Sequence, residues 1–130
     1  MATTLTNHTA EARRYIANAR EILSEKAGKQ DGFYQDKKYV RMAGNTAYNG
    51  VLEALDGVFT VKRKGRKSVE WYQENLANTD RKLLDKFNSA YDILHLFMGY
   101  DGTKDATVAA TGLKRAEEII AWAELRTQVV

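Results

Sequence analysis

Between Tyr39 and Phe59 small residues fall at Ala43, Ala47, Gly50, Ala54 and Gly57. Steps of four and three put all five on one side of an α-helix. Val51, Leu52, Leu55, Val58 and Phe59 make most of the remaining surface apolar, and a helix that is apolar nearly all round is a buried one. Each glycine inside a helix costs roughly 1 kcal/mol against alanine, so those in this stretch predict a close approach by a neighbouring helix. The stretch reads as the central helix of a bundle, starting at Phe33 or Asp36 and ending at Thr60. Its polar side is Asn45, Asn49, Glu53 and Asp56.

The flanking segments carry the same period. A first helix is predicted from about Thr9 to Lys26, capped by Asn7 or Thr6, with Glu11 in its first turn and Gly28 as its stop. Its apolar stripe is Ala12, Tyr15, Ile16, Ala19, Ile22 and Leu23. Lys29 to Gly32 reads as a short polar turn. Ser68 is a good cap for a short third helix over Val69 to Leu76. Asn78, Thr79 and Asp80 form a break, after which Leu83, Leu84, Phe87, Ala90, Tyr91, Leu94 and Met98 mark a fourth helix from Arg81 to Met98. Gly99 to Gly102 is a turn, and a fifth helix runs from Asp105 to Arg126 with Val108, Gly112, Ala116, Ile119, Ile120 and Ala123 inward. Connections this short make successive helices antiparallel neighbours. The expected fold is all-α: a single up-and-down bundle of four long helices and one short one, forming one domain over residues 1–130.

Composition agrees with that and narrows the chemistry. Proline is absent from the 130 residues, which favours helices. Cysteine is absent too, which removes disulfides, thiolate metal sites and a cysteine nucleophile, and fits a reducing cytoplasm. The N-terminal stretch lacks the charged and apolar regions of a secretory signal, and no apolar run approaches the roughly 20 residues that span a bilayer. The expectation is a cytoplasmic protein without a membrane partner. The net charge of +3 is local: Lys62, Arg63, Lys64, Arg66 and Lys67 carry it, and without them the chain is net acidic.

Two constellations could carry chemistry. Arg81, Asp85, Asn88, Asp92 and His95 share one face of the fourth helix, and Asp92 lies one turn from His95, where a carboxylate can orient or charge an imidazole for general acid–base work. The only other histidine, His8, is expected in a frayed terminus. The cluster Lys62, Arg63, Lys64, Arg66 and Lys67 surrounds Gly65 and could contact the phosphates of a nucleic acid, with Trp71 and Tyr72 near enough to stack on bases. It lacks the glycine spacing of a phosphate-binding loop. Asp101 to Asp105 lacks the spaced acids of a calcium loop and reads as a turn with a helix cap. No Glu-x-x-His occurs, so a di-iron centre is not expected, nor any other metal or cofactor.

The layout also resembles a known superfamily. Ala12, Tyr15 and Ala19 on a long first helix precede a central helix rich in Ala, Tyr and Gly, a basic loop, a short helix, and a helix ending in a histidine. This resembles the HEPN superfamily of nucleotide- and RNA-associated helical bundles, and the run FNSAYDILHLFMGYDG, residues 87–102, is similar to a small family of bacterial proteins of unknown function. The resemblance implies a bundle that often dimerises or partners another protein. Many HEPN proteins are metal-independent ribonucleases with Arg-x4-6-His. His95 matches the histidine, but the arginine positions hold Ala90, Ser89 and Asn88. That departure removes the phosphate-contacting cation. What the resemblance then implies is a non-enzymatic binding or interaction module, likewise free of cofactors, acting as a homodimer or with a protein partner. A ribonuclease or nucleotide-acting enzyme using His95, Asp92 and Asn88 is the alternative, and an RNA-binding accessory protein acting through residues 62–67 is another.

Overall fold

A computed structural model describes residues 7–59 and 67–127. The described residues form an all-α bundle of five α-helices. Helix α1 is His8–Ile22, continued by a wider π-helical turn over Leu23–Ala27; α2 is Lys37–Val58, α3 Val69–Ala77, α4 Arg81–Ala90, and α5 Ala106–Arg126. Helix α4 also continues as a π-helix, over Tyr91–Met98. Each of the five α-helices starts on a side-chain oxygen that accepts from its first turn: Asn7, Asp36, Ser68, Asp80 and Asp105. The alternative cap Thr6 and the helix end expected at Thr60 lie outside the described residues.

Helix α2 is the centre of the molecule, packed on α1, α5 and the π segment. Ala43, Ala47, Ala54, Val51 and Leu55 have no exposed surface. Its glycines act on two sides. A Cβ on Gly50 would lie 2.9 Å from Tyr15 Cβ and 3.1 Å from the Ala12 carbonyl oxygen, so α1 rests directly on that backbone. A Cβ on Gly44 would lie 2.5 Å from the Leu94 carbonyl oxygen and 2.6 Å from Met98 Cβ. From the far side, a Cβ on Gly112 of α5 would lie 2.5 Å from Ile93 Cγ2. The π segment is wider than an α-helix, and glycines on both neighbours make room for its girth.

Two expectations are corrected. The polar turn at Lys29 to Gly32 is a small hairpin: strand β1 (Lys29–Gln30) pairs antiparallel with β2 (Phe33–Tyr34). Asp31 and Gly32 have φ of 54° and 83°, the left-handed pair that a two-residue hairpin turn requires and that Asp-Gly supplies. Helix α2 therefore begins at Lys37, after the hairpin, and cannot include Phe33. The hairpin is held against the turn before α5: the Tyr34 amide donates to the Lys104 carbonyl at 2.7 Å and the Ala106 amide to the Gly32 carbonyl at 3.0 Å. The second correction concerns His8. It is the first residue of α1, ordered by the Asn7 cap, rather than part of a frayed end.

Candidate functional site

Asn49, Leu52, Glu53 and Asp56 recur at steps that keep them on one face of α2. They floor an open cleft of about 250 Å³ whose walls are Tyr15 of α1, Lys67 just before α3, and Tyr72 on α3. The glycines of α2 set this geometry. Tyr15 reaches the cleft because Gly50 lets α1 approach. Likewise a Cβ on Gly57 would lie 2.7 Å from His8 Cβ, so glycine at 57 admits the imidazole to the face that carries Glu53.

The polar groups of the cleft are held by one another. His8 Nδ1 lies 2.5 Å from Glu53 Oε2. The Tyr72 hydroxyl donates to Asp56 Oδ1 at 2.7 Å, and Lys67 Nζ approaches the same oxygen at 3.3 Å. Lys67 is only 12% exposed, and its ammonium lies 5.6 Å from the centre of the Trp71 ring. Burial, then the bond to Asp56, push the Tyr72 hydroxyl well above the usual phenol range, so it stays a donor. Among the described residues nothing bonds Glu53 Oε1 or Asp56 Oδ2.

A second polar feature lies on the π segment. The His95 ring stacks on Tyr48, with centroids 4.9 Å apart and planes at 30°, and packs on Tyr91 at 5.3 Å. Its Nδ1 is buried without a hydrogen-bond partner among the described residues. Tyr48 is 8% exposed, and burial raises its hydroxyl above the ordinary phenol range, with Tyr91 adding to it.

The residues singled out from the sequence do not converge. Asp92 is exposed and no hydrogen bond joins it to His95. The π winding is the reason: amide bonds there span five residues, as from Gly99 to the Leu94 carbonyl at 2.9 Å, so a three-residue step falls farther short of a full turn than in an α-helix. Asn88 is committed to α3, accepting from Gln73 Nε2 at 2.9 Å. Lys86 pairs with Glu118 at 3.2 Å. Of the basic cluster, Lys67 turns inward to Asp56, while Lys62, Arg63, Lys64 and Arg66 lie outside the described residues. Sequence reasoning missed His8, Glu53, Asp56 and Tyr15 as a site. The legible signal was Asn49, Glu53 and Asp56 at helical spacing above two glycines, but their partners are 45 residues away in one case and 16 in another. Among the described residues no three His, Asp or Glu side chains come together as metal ligands, and no helix is long and apolar enough to cross a membrane.

Residues 7–125 match the family model described as a domain of unknown function, DUF5618. The chain belongs to that family. A solved structure of a protein of unknown function from Dyadobacter fermentans is 56% identical and superposes with a TM-score of 0.89, covering 94% of this chain and 99% of that one. No curated protein matches. The DUF5618 chain thus shares its helical fold with a relative of nearly its own length.

Proposed function

We propose that this DUF5618 protein is a HEPN-like binding module, a single domain that recognises a protein partner or a second copy of itself through the cleft between α1, α2 and α3. The observation that carries the reading is the cleft's construction. Glu53 and Asp56 are each positioned by a partner from another part of the chain, His8 in one case and Tyr72 with Lys67 in the other. Each still has an oxygen that no described residue bonds. Preorganised acceptors in a concave, partly apolar setting are what a recognition site requires. A cavity of about 250 Å³ falls below the roughly 300–1,000 Å³ of small-molecule sites, so it suits one side chain better than a nucleotide.

The geometry around His95 supports the same reading over a metal-independent ribonuclease. Such an enzyme stabilises negative charge on phosphorus oxygens with positioned cations and donors. His95 instead packs on Tyr48 and Tyr91 with no hydrogen bond to Asp92, and Lys86 is engaged by Glu118. The reading predicts that purified protein leaves single-stranded RNA intact in chelator, as does His95→Ala. It also predicts that N-acetyl amino-acid amides, titrated one by one, shift the NMR signals of Leu52, Glu53 and Tyr72. RNA cleavage by the parent that disappears in His95→Ala would replace it with the enzyme, and shifts confined to Tyr48 and Tyr91 would move the binding site.

A further inference from the structure

The chemistry of the cleft also selects its occupant. Glu53 and Asp56 bring two carboxylates, each using one oxygen on a basic partner, His8 in one case and Lys67 in the other. Two carboxylate oxygens, Glu53 Oε1 and Asp56 Oδ2, and the exposed Asn49 amide are left by the described residues for a ligand. These oxygens are acceptors only, so the ligand must donate, and a phosphate would meet like charge. Tyr15 and Tyr72 line the cleft above the apolar floor of Leu52. Aromatic faces beside carboxylates favour a cation on an apolar stem. The chain already uses this chemistry nearby: the Lys67 ammonium sits on Asp56 at 3.3 Å and over Trp71 at 5.6 Å.

Resting on the binding reading above, we infer that the cleft takes one guanidinium or alkylammonium group, delivered as an arginine or lysine side chain of a partner polypeptide. The volume of about 250 Å³ admits a single side chain rather than an extended polyamine. Arginine is favoured over lysine, because its planar fork can bond two carboxylate oxygens at once and stack on tyrosine.

The test compares four N-acetyl amides (of arginine, lysine, glutamine and glutamate) with spermidine, using NMR titration of the parent, Glu53→Gln, Asp56→Asn and Asn49→Ala. Arginine amide should bind the cleft most tightly, and added salt should weaken it. Glu53→Gln and Asp56→Asn should each cost about tenfold in affinity, the worth of one charge-assisted hydrogen bond. Asn49→Ala, an exposed change, should cost less and guards against misfolding, and Asp56→Asn keeps an acceptor for Tyr72. Glutamine or glutamate amide binding as well as arginine would retain the cleft as a binding site but overturn the cationic occupant. Spermidine binding more tightly than arginine amide would overturn the side-chain source. If no cation shifts the cleft signals, or if both carboxylate variants bind arginine like the parent, the inference falls.

Discussion

The two histidines of this chain sit in opposite settings. His95 is in the last turn of the π segment that continues α4, and the structure stacks its ring on Tyr48 and leaves Nδ1 buried without a described partner. His8 begins the first helix, and its ring is bonded to Glu53 from 45 residues away, at the edge of a cleft. The histidine with promising neighbours in sequence is thus absorbed into packing, and the one with none is part of a polar site. Neighbours along a helix are set by winding, and the winding at His95 is not that of an α-helix. Partners across a fold are set by how closely helices approach, and glycines control that at His8.

The largest effects should come from those glycines. Gly44→Leu forces a side chain into the Leu94 carbonyl and Met98, and should cost about 3 kcal/mol in urea melts, while Gly50→Leu, which presses on Tyr15 and Ala12, should cost about 1–3 kcal/mol. A Gly44→Leu protein as stable as the parent would mean that the π segment is not seated on α2, and the setting of His95 would have to be redrawn. Gly57→Ala should move α1 at its start, so the NMR signals of His8 and Glu53 should shift while those of His95 stay in place.

Smaller effects should separate the two histidines themselves. His95→Phe keeps an aromatic ring packed on Tyr48 and Tyr91 and removes a buried nitrogen without a described partner, so stability should hold or rise by up to about 1 kcal/mol. A clear loss would show that Nδ1 has a partner. His8→Ala breaks a pair whose members are 37% and 25% exposed, so stability should fall by less than about 1 kcal/mol. The freed Glu53 oxygen should make arginine amide bind more tightly, not less.

The smallest expected effect is the acid response, which should arise outside both histidine regions. Backbone donation from Leu83 and a bond from the Trp122 indole hold the Asp80 carboxyl below its usual range. The bidentate Arg13 guanidinium does the same for Glu124. Because both groups are depressed in the folded state, their contribution is present above the ordinary carboxylate range and is lost as pH falls through and below it. Asp80→Asn should flatten that part of a pH-dependent melting curve. If His8→Ala flattens it instead, the cleft rather than the helix caps dominates the acid response.

Much of the fold was legible because its signals are local. The cap residues Asn7, Ser68 and Asp80 and the stop at Gly28 act within one turn, and the apolar period of α4 runs on through the π segment. The hairpin was legible in principle, since Asp31-Gly32 is a turn signal, but its strands of two residues are too short to show alternation. What the sequence by itself determined is which residues are helical, which stripe of α2 is small enough to be approached, and that Glu53 and Asp56 share a face of it. Only the tertiary structure decided that Gly50 and Gly57 bring Tyr15 and His8 to that face, that Gly44 and Gly112 accommodate a widened helix, and that Asp92 and His95 do not meet. The physical reason is range: caps and periods are energies of neighbouring residues, whereas a site is made where distant backbones are allowed to touch.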